Sequence, residues 1–158
     1  MQYRIGNGID SHRLEEGVPL ILGGVSIPSK KGSKGHSDGD VLFHAIVDAI
    51  LGSLSLGDIG KHFPSDNPHW KDVDSRLFLE HVCKLMDEKG YSVENIDSTI
   101  ILQEPILNPH ILQMRKNIAT ILSADLNQIS VKATTTDKLG FIGKGDGIAA
   151  TASALIKK

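Results

Sequence analysis

Between residues 40 and 54 the chain reads DVLFHAIVDAILGSL, and Val41, Leu42, Ala45, Ile46, Ala49 and Ile50 recur at three- and four-residue spacing. That period predicts a helix over Asp40–Leu54 with one apolar face. Such a helix gains its stability from packing, so it needs a layer to lie against. The flanking sequence supplies candidates. Tyr3–Asp10 reads as a short strand interrupted by Gly6 and Gly8, and Leu20–Ile27 as a hairpin turning at Gly23-Gly24. Ser75–Lys89 is a second amphipathic helix, with Leu77, Phe78, His81, Val82 and Leu85 on one side and Gly90 at its end. Tyr91–Leu102 and Ile129–Thr135 read as strands, and His110–Ala124 as a third helix after Pro105 and Pro109. Ile148–Ile156 alternates weakly and suits a strand or, being Ala-rich, a helix. The segments SKKGSKGHSDGD, Gly57–Asn67 and Asp137–Gly147 read as loops.

Interleaved helices and strands in this order predict an α+β chain (an α/β sandwich): one mixed sheet of about four strands with helices on one face. The other face must meet something, and a second copy of the chain is the economical occupant. Length sets the scale. The 158 residues suit one domain, 1–158, and 40% hydrophobic residues with only 4% aromatics imply an aliphatic core. A net charge of −2 excludes a globally basic nucleic-acid binder. One cysteine, Cys83, excludes a disulfide framework and a Cys-based zinc site. No apolar run reaches the ~20 residues of a membrane span, and MQYRIGNGID has no signal-peptide core. The expected location is the cytoplasm, with a mature plastid protein as the other option. Lys30, Lys31 and Lys34 are expected to be solvated.

The 16 glycines and 7 histidines cluster. Asp10 and His12 lie two apart on the first strand and so point to the same side. With His44 from the Asp40–Leu54 helix they offer three N/O ligands and leave a fourth position open, as a catalytic zinc requires. Asp40, His44 and Asp48 share a helix face, so a carboxylate such as Asp48 could orient the His44 imidazole. Each residue alone has a plainer reading: Asp40 as a helix-start residue, His44 as a partly buried histidine. Gly35-His36-Ser37-Asp38-Gly39-Asp40 runs into a helix start, where backbone N–H groups can hold an anion. Thr134-Thr135-Thr136-Asp137 offers hydroxyls and a carboxylate for phosphate and a hard cation, or is simply a Thr-rich strand end. Asp58-Ile59-Gly60 and Phe63–Asn67 could bind hydroxyls or be solvated surface. His62, His69, His81 and His110 carry no motif.

In combination, GIDSH, GHSDGDVLFHAI, LGDIGKHFP, PHILQMR and KATTTDKLGF, in this order and spacing, resemble the 2-C-methyl-D-erythritol 2,4-cyclodiphosphate synthases of the non-mevalonate isoprenoid pathway. The resemblance implies an enzyme, a phosphorus–oxygen lyase. It would cyclise 4-diphosphocytidyl-2-C-methyl-D-erythritol 2-phosphate and release CMP. It implies a homotrimer with sheets facing inward and active sites between subunits. By position, Asp10, His12 and His44 match the ligands of one zinc per site. Asp137 matches the carboxylate for Mg²⁺ or Mn²⁺, which arrives with substrate. His36 and Thr135 match catalytic positions, and Ser37 lies beside the reacting phosphate. Asp58, Ile59 and Gly60, with Phe63, Asp66 and Asn67, match the segment near the erythritol hydroxyls. Leu102, Pro105, Leu107, Ala133 and Thr134, within Leu102–Asn108 and Ala133–Thr135, match the cytidine pocket; Thr136 and Phe141 match further substrate-binding positions, and Lys144 a position in the central channel. Neither nucleic acid nor membrane is an implied partner. The family often has Glu at Asp137, Lys at Ile106 and Arg at Lys144. A metal-dependent phosphohydrolase and a non-catalytic nucleotide-binding module are the rival readings.

Overall fold

The computed structural model describes residues 1–158. Its main sheet has five strands, one more than the sequence pattern suggested, in the order β4-β1-β7-β5-β6. These are β1 (Tyr3–Glu16), β4 (Lys31–Lys34), β5 (Ser92–Ile101), β6 (Ile129–Thr134) and β7 (Gly147–Lys157). Only β5 and β6 are parallel. The short strands β2 (Leu20–Leu22) and β3 (Val25–Ile27) form the expected hairpin. Gly23 and Gly24 both have positive φ, 56° and 70°, as a tight two-residue hairpin turn demands.

The glycine- and lysine-rich stretch read as loop contains β4, which pairs Lys31–Lys34 with Arg13–Glu16 and so extends β1 beyond Asp10. An edge strand carries a weak apolar signal because part of it faces water. Lys31 and Lys34 are not simply solvated: the first donates to the Gly145 carbonyl, the second to the Glu15 carboxylate. The Ala-rich last segment is a strand. It lies between β1 and β5 and pairs with both, and this ladder overrides the helix preference of alanine. Two more segments read as loop hold single helical turns, α2 (Ile59–His62) and α5 (Gly140–Gly143).

The helix over Val41–Ser53, α1, is more central than one apolar face implies. Eleven of its 13 residues are buried, because the sheet covers one side while α3 (Arg76–Glu88) also packs against it. α3 buries Phe78, Leu79, Val82, Cys83 and Met86, a stripe rotated from the expected one; Leu77 and His81 face solvent. The third predicted helix is α4 (Ile111–Ile121). No helix is long and apolar enough to cross a membrane.

Two details place the site. Even-numbered residues of β1 face α1, and at Gly6 and Gly8 the helix backbone comes so near that an added Cβ would lie 1.9 Å from Ala49 O or 2.0 Å from Ala45 O. At the start of α1, the fully buried Asp40 carboxylate accepts from Gly23 N, Gly24 N and Phe43 N at 3.0, 2.8 and 3.1 Å. One side chain thus caps the helix and ties down the hairpin turn. On the opposite face of the sheet, Tyr3, Ile5 and Ile9 stand in the open, at 51, 68 and 70% exposure.

Candidate functional site

Asp10 and His12 continue the even-numbered row of β1 past Gly6 and Gly8, so they point toward α1. His44 comes down from the first turn of that helix. The three meet: their ligand atoms all lie within 4.8 Å of one another. Asp10 Oδ2 sits 2.7 Å from His12 Nε2 and 2.9 Å from His44 Nδ1, and the two nitrogens are 3.3 Å apart. Four ligands at about 2.0 Å in a tetrahedron keep donor atoms about 3.3 Å apart. A carboxylate and two imidazoles at this spacing suit a divalent metal ion.

Asp10 and His12 shift each other's protonation. Burial alone pushes the Asp10 carboxyl up, but hydrogen bonds and charge from His12 and His44 outweigh it and hold its pKa at about 2. Burial pushes the His12 imidazolium down, and the bond to Asp10 outweighs that, so its pKa is raised. The Lys34 backbone of β4, the strand missed in the sequence, also raises the His12 pKa.

His44 is held from its far side. Its Nε2 lies 2.8 Å from Ser75 Oγ and 3.0 Å from Ser37 Oγ. Asp48 does not perform the orienting role expected of it. Its carboxylate accepts from Ile59 N at 2.7 Å and pins the Asp58-Ile59-Gly60 segment to α1. Burial, then the neighbouring Asp58 and Asp10, raises its pKa. Asp58 in turn caps α2 by accepting from Lys61 N at 2.9 Å.

The remaining expected residues fall into separate groups. His36 Nε2 lies 3.4 Å from the Asn67 carbonyl, which brings the 36–37 loop beside the Pro64–Asn67 turn. Asp66 is exposed there. The Phe63 side chain faces no open cleft: it is buried, stacked on Phe78 at 4.3 Å and edge-on to Trp70. Leu102, Pro105, Leu107, Ala133, Thr134 and Thr135 do converge, lining a cleft of about 290 Å³ at the C-terminal ends of β5 and β6. Thr136 is not among the lining residues; its hydroxyl donates to Leu139 O at 2.7 Å. Asp137 is exposed, with Oδ1 3.4 Å from Thr135 Oγ1, and stands apart from the Asp10 cluster. Phe141 lines a different cavity, of about 600 Å³, with Ser11, His12 and Asp146. Lys144 is exposed at the end of α5.

Known proteins show the same arrangement of sequence and fold. The YgbB family model matches residues 3–157. A 2-C-methyl-D-erythritol 2,4-cyclodiphosphate synthase of Chlorobium phaeobacteroides is 56% identical over 155 residues, 98% of either chain. The chain belongs to the YgbB family of 2-C-methyl-D-erythritol 2,4-cyclodiphosphate synthases. Among solved structures, the bifunctional IspDF of Campylobacter jejuni matches with a TM-score of 0.90 and 42% identity, over 99% of this chain and 42% of that one. IspF of Plasmodium falciparum, solved as a CDP complex, matches with a TM-score of 0.85 and 39% identity, over 98% and 95%.

One contributor to this site escaped the sequence reading, Ser75. Ser75 read as a helix start, and no spacing rule ties residue 75 to 44. The one available signal was a serine at the first turn of an amphipathic helix, which usually means a cap.

Proposed function

We propose that the protein closes 4-diphosphocytidyl-2-C-methyl-D-erythritol 2-phosphate into the 2,4-cyclodiphosphate and releases CMP. The observation that carries this reading is the convergence of Asp10, His12 and His44 in a chain of this family. An oxygen of the 2-phosphate attacks the β-phosphorus, the bond from that phosphorus to the oxygen bridging the α-phosphate breaks, and the bridging oxygen leaves on CMP. A phosphomonoester carries about −1.5 to −2 charge at neutral pH, so the attacking oxygen needs no general base. The obstacle is the meeting of two anions on a protein whose own net charge is −2.

Zinc held by Asp10, His12 and His44, with Mg²⁺ or Mn²⁺ held by Asp137, would supply positive charge to the diphosphate. The donor sets fit: the first is a three-ligand site, and the second offers the one carboxylate such an ion takes when phosphates complete its shell. The protein's own groups do the aligning. His36 and Ser37 position the reacting phosphate, and the Thr135 hydroxyl donates to charge developing in the transition state. Asp58, Ile59 and Gly60 hold the erythritol hydroxyls near α1, where Asp48 fixes their backbone. The Leu102–Asn108 and Ala133–Thr135 cleft takes the cytidine, supported by the CDP bound to the Plasmodium relative.

No residue lining the cytidine cleft belongs to the zinc cluster. In register, Asp10 aligns with Ala150, Ile100 and Ala133 across three strand spacings, or about 14 Å. The exposed Tyr3, Ile5 and Ile9 row supports burial against further copies. Both features favour a homotrimer in which a neighbour completes each site. The test is incubation of the protein with the diphosphocytidyl substrate, zinc and Mg²⁺, followed by ³¹P NMR. CMP and a cyclic diphosphate without a terminal phosphate are expected. Release of inorganic phosphate or a linear diphosphate would replace this reading with a hydrolase.

A further inference from the structure

Ser75 stands at the start of α3, where a serine hydroxyl normally accepts from a backbone N–H of the first turn. Here it makes no such bond. The residue is fully buried, and its hydroxyl is directed at three side chains instead. It lies 2.8 Å from His44 Nε2, 3.1 Å from Ser37 Oγ, and in hydrogen-bond contact with Asp38 Oδ1. The other Asp38 oxygen accepts from Ser75 N at 3.1 Å, and Asp38 Oδ1 also accepts from Asp40 N at 3.1 Å. The 36–38 loop is tied to the same segment by Asp38 N to Val73 O and Asp72 N to His36 O.

The proton arrangement follows from donor and acceptor rules. The Asp38 carboxylate is only an acceptor, so the Ser75 hydroxyl donates to it. A lone pair of Ser75 Oγ then accepts from His44 Nε2–H. Neutral imidazole carries one proton, so Nδ1 keeps a lone pair facing His12 and the Asp10 Oδ2 acceptor 2.9 Å away, and two acceptors at that distance call for a cation between them.

We propose that Asp38 and Ser75 are positioning residues that hold His44 in the Nε2–H form and so present Nδ1 to the metal, while fixing the His36–Ser37 loop against that ligand. The inference rests on the metal-centre reading above. Removing the hydroxyl should leave His44 free to adopt either proton placement and either ring orientation, and outer partners of this kind are worth roughly 10–100-fold in metal affinity.

Zinc affinity by chelator competition and ¹⁵N NMR of the imidazoles in metal-free protein test it together. Native protein is expected to show His44 protonated at Nε2. Ser75→Ala is expected to lose at least tenfold in zinc affinity with a mixed His44 signal. Asp38→Asn should move both readouts the same way with the hydroxyl still present. His44 protonated at Nδ1 in the native protein would overturn the proposal whatever the variants do. So would zinc-binding native protein matched within twofold by Ser75→Ala and Asp38→Asn. Native protein that takes up no zinc at all would overturn the metal-centre reading, and this proposal with it.

Discussion

Gly8→Ala puts one methyl group into one of the closest approaches in the fold. The new Cβ would lie 2.0 Å from Ala45 O and 2.8 Å from Ala49 N, where ordinary contact begins near 3.4 Å. The obstructing atoms are helix backbone and cannot rotate away, so α1 must retreat from β1 by about 1.4 Å. Overpacking of this kind costs about 1–3 kcal/mol. The upper end applies, because nearly all of α1 is buried and its retreat disturbs both neighbouring layers. With an m-value of about 2 kcal/mol/M, the urea midpoint should fall by about 1.5 M at fixed protein concentration. The same movement carries His44 away from Asp10 and His12, which now lie 2.9 and 3.3 Å from its Nδ1. Zinc affinity should drop by about tenfold or more, since the donors would exceed the tetrahedral spacing of about 3.3 Å. Gly52→Ala is the matched control. Its Cβ meets nothing closer than 3.9 Å, and alanine in a helix should stabilise by about 0.5–1 kcal/mol. Gly8→Ala with an unchanged midpoint and native zinc affinity would refute the claim that backbone contact sets the site.

Asp10→Ala and His44→Ala should each lose stoichiometric zinc by elemental analysis and lose CMP release; full zinc and normal turnover in both would remove the ligand assignment. Asp40→Ala strands three N–H groups, Gly23, Gly24 and Phe43, and should destabilise by about 3 kcal/mol in urea melts. Asp40 also has a pH signature. Burial outweighs its three N–H bonds and lifts its pKa from 3.8 to about 6, so the folded state loses stability through this group as pH rises from about 4 to 6. Asp10 acts oppositely in metal-free protein: its stabilisation is present above 3.8 and fades as pH falls through about 2. Comparing urea midpoints of Asp40→Asn and native protein across pH 4–7 isolates the first effect, and the gap between them should change with pH. The proposed homotrimer should come apart into single 17.0 kDa chains by light scattering in Ile5→Lys with Ile9→Lys; a native protein already at 17.0 kDa would refute shared sites.

The helical period of residues 41–50 and the β-branched run of residues 99–101 were legible because each signal is local. β4 was not, because KGSK has no apolar alternation and becomes a strand only through its partner, Arg13–Glu16. The final strand was ambiguous for the opposite reason: alanines suit a helix, and only the ladders on both sides decide. Asp48 sits on the right face of α1 for His44, yet Ile59 N, 11 residues away, takes its carboxylate. Spacing along one helix shows which side chains share a face but not which partner arrives from another element.

The meeting of Asp10 and His12 with His44, 32 residues further on, had no local rule behind it, and the structure supplies one. From Gly6 to His12 the even positions of β1 read Gly, Gly, Asp, His, all facing α1. The two glycines let the helix backbone approach to where a Cβ would collide with Ala49 O and Ala45 O. His44 immediately precedes Ala45 on that helix, and two and four residues after Gly8 on the strand come Asp10 and His12. Because strand side chains repeat every two residues, the row that admits the helix is the row that delivers the ligands. Larger residues at 6 and 8 would hold the helix too far off for a short aspartate to reach the imidazole. The alternating glycines, read in the sequence as an interruption of a strand, are what makes the three ligands one site.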